Sequence, residues 1–120
     1  GILWWSHGGV LHGQAPARLA FLRDFLDSLP GPLMRREANW DERCATLQGH
    51  TETAPPILLY YTYHLRPAFR EYTLPEGTAY RVEVLDTWNM TRTDCGVMSG
   101  HIRVNLPARP YIAVYMQRVR

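Results

Sequence analysis

The spacing of apolar and polar residues changes part-way along the chain. Ile2-Leu3-Trp4-Trp5 is a short unbroken apolar run, as expected of a strand buried on both faces. Ser6-His7-Gly8-Gly9 breaks it. From Gln14 to Leu29 the apolar side chains fall at Leu19, Phe21, Leu22, Phe25, Leu26 and Leu29, the three-and-four spacing of an amphipathic helix. Pro16 suits its first turn, where a missing N–H costs nothing, and Pro30-Gly31-Pro32 stops it. Strand, glycine loop and helix make the repeating unit of an α/β fold, and one such unit cannot cover itself. The chain reads as though it begins inside something longer.

Between 33 and 55 the signals weaken. Asn39-Trp40-Asp41 could start a strand or cap a turn, and Gln48 to Pro56 reads as a loop rich in Gly, Thr and Pro. Beyond Pro56 the period becomes two. Ile57 to His64 is a β-branched and aromatic run, followed by Phe69 to Leu74 and a turn at Pro75-Glu76-Gly77-Thr78. Tyr80, Val82 and Val84 alternate with Arg81 and Glu83; Ile102, Val104 and Leu106 alternate with Arg103 and Asn105. Each alternating set sends one face to a core and one to water. Tyr111 to Val119 makes a last strand after the turn at Pro107-Ala108-Arg109-Pro110. Five strands with short turns and no helices between them predict a mainly β chain, a small antiparallel sandwich or meander, behind the N-terminal strand–loop–helix unit.

Composition narrows the function classes. The chain has 120 residues, 46% hydrophobic and 20% charged, enough for one ordinary domain with a core. No apolar run approaches the roughly 18 residues that would span a bilayer. A net charge of +2, with basic residues spread along the chain, does not suggest nucleic acid. All 13 basic side chains are Arg, so lysine nucleophiles and Schiff-base chemistry are excluded. Cys44 and Cys95 are too far apart in sequence to match a zinc pattern; one disulfide is possible, and the plainer reading is two half-buried thiols. Nothing fixes a compartment.

Three blocks stand out: Tyr80 to Thr91 with Asp86-Thr87-Trp88-Asn89-Met90-Thr91 at its end, Gly96-Val97-Met98-Ser99-Gly100, and Leu106 to Tyr111. Together they resemble a C-terminal β-sandwich domain of unknown function attached to glycoside hydrolases related to the apiosidase-like barrel enzymes. The likeness runs from about Trp40 to the end, and Asp86 to Thr91 is its most specific part. Trp4-Trp5-Ser6-His7-Gly8-Gly9 and Ala15-Pro16-Ala17-Arg18 resemble the close of the preceding barrel. The resemblance therefore implies a division at residue 32: residues 1–32 as the eighth strand and helix of a (β/α)₈ barrel, residues 33–120 as the accessory sandwich. It also implies catalytic carboxylates on earlier barrel strands, outside this chain, since barrel enzymes place their catalytic groups on loops after several strands.

The chain's own residues offer no replacement. Glycoside hydrolysis needs two opposed carboxylates. Asp24 and Asp27 fall on a helix that exposes them, and Glu71 and Glu83 alternate outward. Asp86, beside Trp88 and Asn89, is the acid in a distinctive setting, read as a carboxylate that fixes the following loop by accepting backbone N–H bonds. His7, His12, His50, His64 and His101 show no metal-ligand spacing, and no cofactor motif is present. We therefore expect no catalytic residue, metal or cofactor here.

Trp rings stack on sugar C–H faces. At the C-terminal end of the first strand, Trp5, Ser6 and His7 are candidates for lining a substrate cleft, where oligo- or polysaccharide would bind. Alternation lets at most one of Trp4 and Trp5 face it. Trp40 and Trp88 are expected in the core, and Tyr60, Tyr61 and Tyr63 in sheet packing. The expected partner is the catalytic barrel of the same polypeptide. The rival readings are a carbohydrate-binding module using exposed aromatics, and a free-standing interaction domain whose N-terminal strand pairs with a partner or a second copy.

Overall fold

The computed structural model describes residues 16–38, 40–62 and 65–120. The expected strand at Ile2–Trp5, and with it Trp5, Ser6 and His7, lies outside them. Helix α1 spans Pro16–Asp27, and eight strands follow: β1 Leu33–Arg36, β2 Arg43–Leu47, β3 Ile57–Tyr61, β4 Phe69–Thr73, β5 Tyr80–Asp86, β6 Thr91–Met98, β7 His101–Asn105 and β8 Ile112–Arg118. They form a six-stranded sheet of order β1-β2-β3-β8-β5-β6 and a two-stranded sheet β4-β7. Every pairing is antiparallel. The expected mainly β, two-sheet architecture is found, with three more strands (β1, β2 and β6) than the five read from the sequence.

The two-residue period explains how the layers stack. Tyr80, Val82 and Val84 from β5 meet Ile102 and Val104 from β7 between the sheets, joined by Tyr72, Leu58, Val114 and Met116, with Leu106 half-buried at the border. These are the faces predicted to point inward. The opposite face of the large sheet is also apolar. Ala45, Leu59, Tyr61, Leu85, Ala113 and Tyr115 pack there against Leu22 and Phe25 of α1. Phe25 meets the Tyr115 ring edge-on, with centroids 5.1 Å apart. The two central strands β3 and β8 are therefore covered on both sides, which is why they are written as unbroken apolar runs. The molecule has three layers: helix, large sheet, small sheet.

Edges and turns carry the irregular residues. Between β5 and β6 the register shifts, with Arg81 opposite Val97 and Glu83 opposite Asp94. The extra residue belongs to β6, where Gly96 has φ of 85° and donates its N–H to the Asp94 carboxylate at 2.7 Å. This is a glycine bulge, a device that twists an edge strand and discourages pairing with another chain. Cys44 is buried and Cys95 half-buried, and both are free thiols.

Candidate functional site

Two places gather polar and aromatic side chains. The first is the β5–β6 turn, Thr87 to Met90, which closes the hairpin after the Asp86–Thr91 pair. Asp86 is buried, and one of its carboxylate oxygens accepts the backbone N–H groups of Trp88 at 2.9 Å and Asn89 at 3.2 Å. The other accepts the Asn89 side-chain amide at 3.1 Å, and Arg109 Nη1 approaches it to 3.6 Å. An aspartate that holds two successive N–H groups fixes a turn that would otherwise leave them unsatisfied. Met90 takes the left-handed conformation needed to close the loop, with φ of 55°.

This turn is bound to the β7–β8 connection. The Thr87 hydroxyl donates to the Tyr111 carbonyl at 2.8 Å, and the Trp88 and Tyr111 rings lie 6.4 Å apart. The blocks Asp86–Thr91 and Leu106–Tyr111, separate in sequence, thus meet at one place. Helix α1 joins them. The Arg18 guanidinium carbon lies 4.2 Å from the Trp88 ring centroid, and Arg18 Nε donates to the Trp88 carbonyl at 3.2 Å. The expectation that Trp88 is a core residue is corrected: it is 38% exposed and forms a surface shelf for Arg18. Asp86, Trp88 and Asn89 do share one structural unit. Arg18, Thr87, Arg109 and Tyr111 complete it, and sequence reasoning missed them because their contacts cross between distant loops.

The second place is the β1–β2 hairpin loop. Trp40 also departs from the core expected of it, being 89% exposed. The loop lies at the edge of the large sheet, where Asp41 and Glu42 turn toward β4 and Trp40 points to solvent. A cleft of about 540 Å³ lies against it, lined by Arg35, Arg36, Glu37, Ala38, Trp40, Glu42 and Arg43. Beneath this rim the polar groups are paired. Glu42 is buried and accepts the Tyr72 hydroxyl at 3.3 Å, while Asp41 pairs with Arg70 at 2.8 Å. Burial pushes the Glu42 carboxyl above its ordinary value, opposed by the charge of Arg70 and the Tyr72 hydrogen bond. The Tyr60 ring lies 4.4 Å from that of Tyr72, and burial also raises the Cys44 thiol to about 11. Such a thiol is a poor nucleophile at neutral pH.

Most acids outside this loop are also spent in structural pairs. Glu83 binds Arg92 at 2.5 Å, Asp94 binds Arg81 at 2.9 Å, and Glu52 meets His50 at 2.7 Å. Among the described residues no group of three or more His, Cys, Asp or Glu side chains could hold a metal ion. Tyr60 and Tyr61 lie in sheet packing as expected, whereas Tyr63 and His64 are outside the described residues.

Residues 40–117 match the family described as a domain of unknown function, DUF5605. The chain belongs to that family. No curated protein matches it in sequence. In structure, this DUF5605 chain is similar to part of a protein from Bacteroides vulgatus ATCC 8482 described as a putative glycoside hydrolase, solved at 1.80 Å resolution. The TM-score is 0.70 at 24% identity, covering 96% of this chain and 26% of the other. The likeness shows a shared fold, and the DUF5605 chain spans about a quarter of that protein's length.

Proposed function

We propose that this chain is a C-terminal accessory domain of a glycoside hydrolase in carbohydrate metabolism, packing on and supporting an apiosidase-like (β/α)₈ catalytic barrel. On this reading α1 is the last barrel helix, and Trp5, Ser6 and His7 line the substrate cleft at the end of the last barrel strand. The carrying observation is the grip on α1. Leu22 and Phe25 are buried on the outer face of the large sheet, and Arg18 is held by Trp88 in the turn that Asp86 fixes. A sheet built to hold a helix by its apolar face and by one arginine is suited to tether the element before it. The structural likeness to a protein described as a putative glycoside hydrolase supports the enzyme context.

Two exposed aromatics, Trp88 and Phe69, favour packing over a polysaccharide-binding face. Arg18 lies on the Trp88 ring, and Arg103 lies 3.9 Å from the centroid of Phe69, so neither ring is a bare platform. The test is expression of the full reading frame with and without residues 33–120, alongside the isolated chain, assayed on aryl glycosides and plant polysaccharides. Only the full frame should be both stable and hydrolytic. Turnover by the isolated chain that a single Asp or Glu substitution abolishes would overturn the proposal. So would a reading frame lacking about 250 residues of strand–helix alternation.

A further inference from the structure

The tethering role leaves the β1–β2 hairpin loop without a task. The geometry points to the cleft around Trp40 as a binding site for a saccharide that carries a carboxylate, a uronic acid unit stacked on the indole with its acid group held by Arg35. This goes beyond the accessory role and is independent of it, because α1 and the β5–β6 turn take no part.

Three observations converge. Trp40 is 89% exposed, so folding gains almost nothing from the largest side chain in the sequence at this position. Trp88 and Phe69, the other exposed large rings, each have an arginine on them, whereas among the described residues Trp40 has neither a ring nor a cation against it. The adjoining cleft, about 540 Å³, falls in the ~300–1,000 Å³ range of small-ligand sites. A flat apolar patch would instead suggest a protein partner, but the surroundings of Trp40 are charged.

The charges select the ligand. Arg35, Arg36 and Arg43 line the cleft against Glu37 and Glu42. Glu42 is buried and faces inward on the Tyr72 hydroxyl, which leaves Glu37 as the acid at a rim where arginines predominate. Arg36 donates through Nη1 to the Glu52 carbonyl at 3.1 Å. Arg35 makes no hydrogen bond or ion pair among the described residues and stands exposed on an edge strand. A planar guanidinium fork matches a carboxylate bidentately, and an exposed indole matches the apolar C–H face of a pyranose. Together they make the two halves of a uronate site. A neutral sugar would use only the tryptophan.

Calorimetric titration of the chain with a galacturonic acid tetramer, and with the neutral galactose tetramer of the same linkage, tests this. The acidic oligomer should bind saturably and at least roughly tenfold more tightly than the neutral one, as expected for one charge-assisted pair. Trp40→Ala should abolish binding without changing the melting temperature, because the ring is almost fully exposed. Arg35→Gln should reduce the acidic oligomer to the neutral level. Absence of saturable binding, equal binding of the two oligomers, or binding unaffected by Trp40→Ala overturns the proposal. It is also overturned if neither sugar binds and Trp40→Ala instead abolishes self-association in sedimentation, which would make the surface a protein contact.

Discussion

Truncating Phe25 to alanine tests whether α1 is an integral layer or an appendage. Phe25 is 3% exposed and seated between the Tyr115 ring and Leu22, with the Arg92 guanidinium 5.3 Å from its centroid. A buried Phe→Ala change removes the transfer energy of the ring and leaves a cavity, together about 3–5 kcal/mol. The edge-on pair with Tyr115 accounts for about 0.5–1.5 kcal/mol of that. Leu26 and Leu29 beside it are only partly buried and can shift into the space, so the lower end, about 3 kcal/mol, is expected. In a domain of roughly 100 residues, 1 kcal/mol moves the melting temperature by about 4–8 °C, giving a fall of about 12–24 °C. Calorimetry reads this directly. Asp24→Ala, an exposed change on the same helix, is the control and should stay within about 0.5 kcal/mol. If Phe25→Ala melted like the control, the helix would be an appendage, and the grip on α1 would lose its physical basis.

Two further outcomes follow from the buried acids. Asp86→Ala leaves the Trp88 and Asn89 N–H groups without their acceptor and should cost about 2 kcal/mol in chemical denaturation. Asp86→Asn, whose amide oxygen can still accept both but whose NH2 would face the Asn89 amide and Arg109, should recover part of it; equal losses in the two variants would count against the turn-fixing role. Glu42 has a raised carboxyl value because burial disfavours its charge, so its contribution is fully present below the ordinary value of 4.5 and is lost as pH rises through the folded-state value. Glu42→Gln keeps an acceptor for Tyr72 and should abolish that loss, giving a flatter stability profile above pH 4.5 than the parent. A parent profile that rose through this range because of Glu42 would refute the assignment.

What the sequence made legible follows from burial. Strands β5 and β7 have one buried and one wet face, so their alternation exposes both their type and their direction. Helix α1 announces itself by one apolar stripe and a proline stop. By contrast, β6 is an edge strand whose residues are mostly exposed, and its Thr-Arg-Thr-Asp-Cys-Gly sequence has no face to write a period on. Strand β2 buries small and polar groups such as Ala45 and Thr46, the latter satisfied by donating to the Ile57 carbonyl at 2.6 Å. Those residues carry little strand signal of their own. The tryptophans misled because size argues for the core, whereas their environments are decided by the fold: an arginine from α1 lies on Trp88, and Trp40 stands exposed on a hairpin at the sheet edge. The link between the Asp86–Thr91 and Leu106–Tyr111 blocks was invisible for a related reason. It depends on which loops the sheet order brings together, and β5 and β8 are neighbours only because the chain crosses over between them.

The family match and the physical unit do not have the same edges. The match covers residues 40–117, yet Leu33 of β1 and Leu22 and Phe25 of α1 lie outside it and inside the core. A chain that began at Trp40 would keep the inter-sheet core intact and lose the cover of Ala45, Leu59, Tyr61, Ala113 and Tyr115 on the other side. Exposing a large apolar side chain costs about 1.5–3 kcal/mol relative to burial, so uncovering even Leu59, Tyr61 and Tyr115 would consume most of a typical stability of about 5–15 kcal/mol. A sheet whose central strands are apolar on both faces cannot be an independent module on one of them. It needs the helix, and the residue type that the β5–β6 turn presents to that helix, an indole under an arginine, makes the dependence specific to α1.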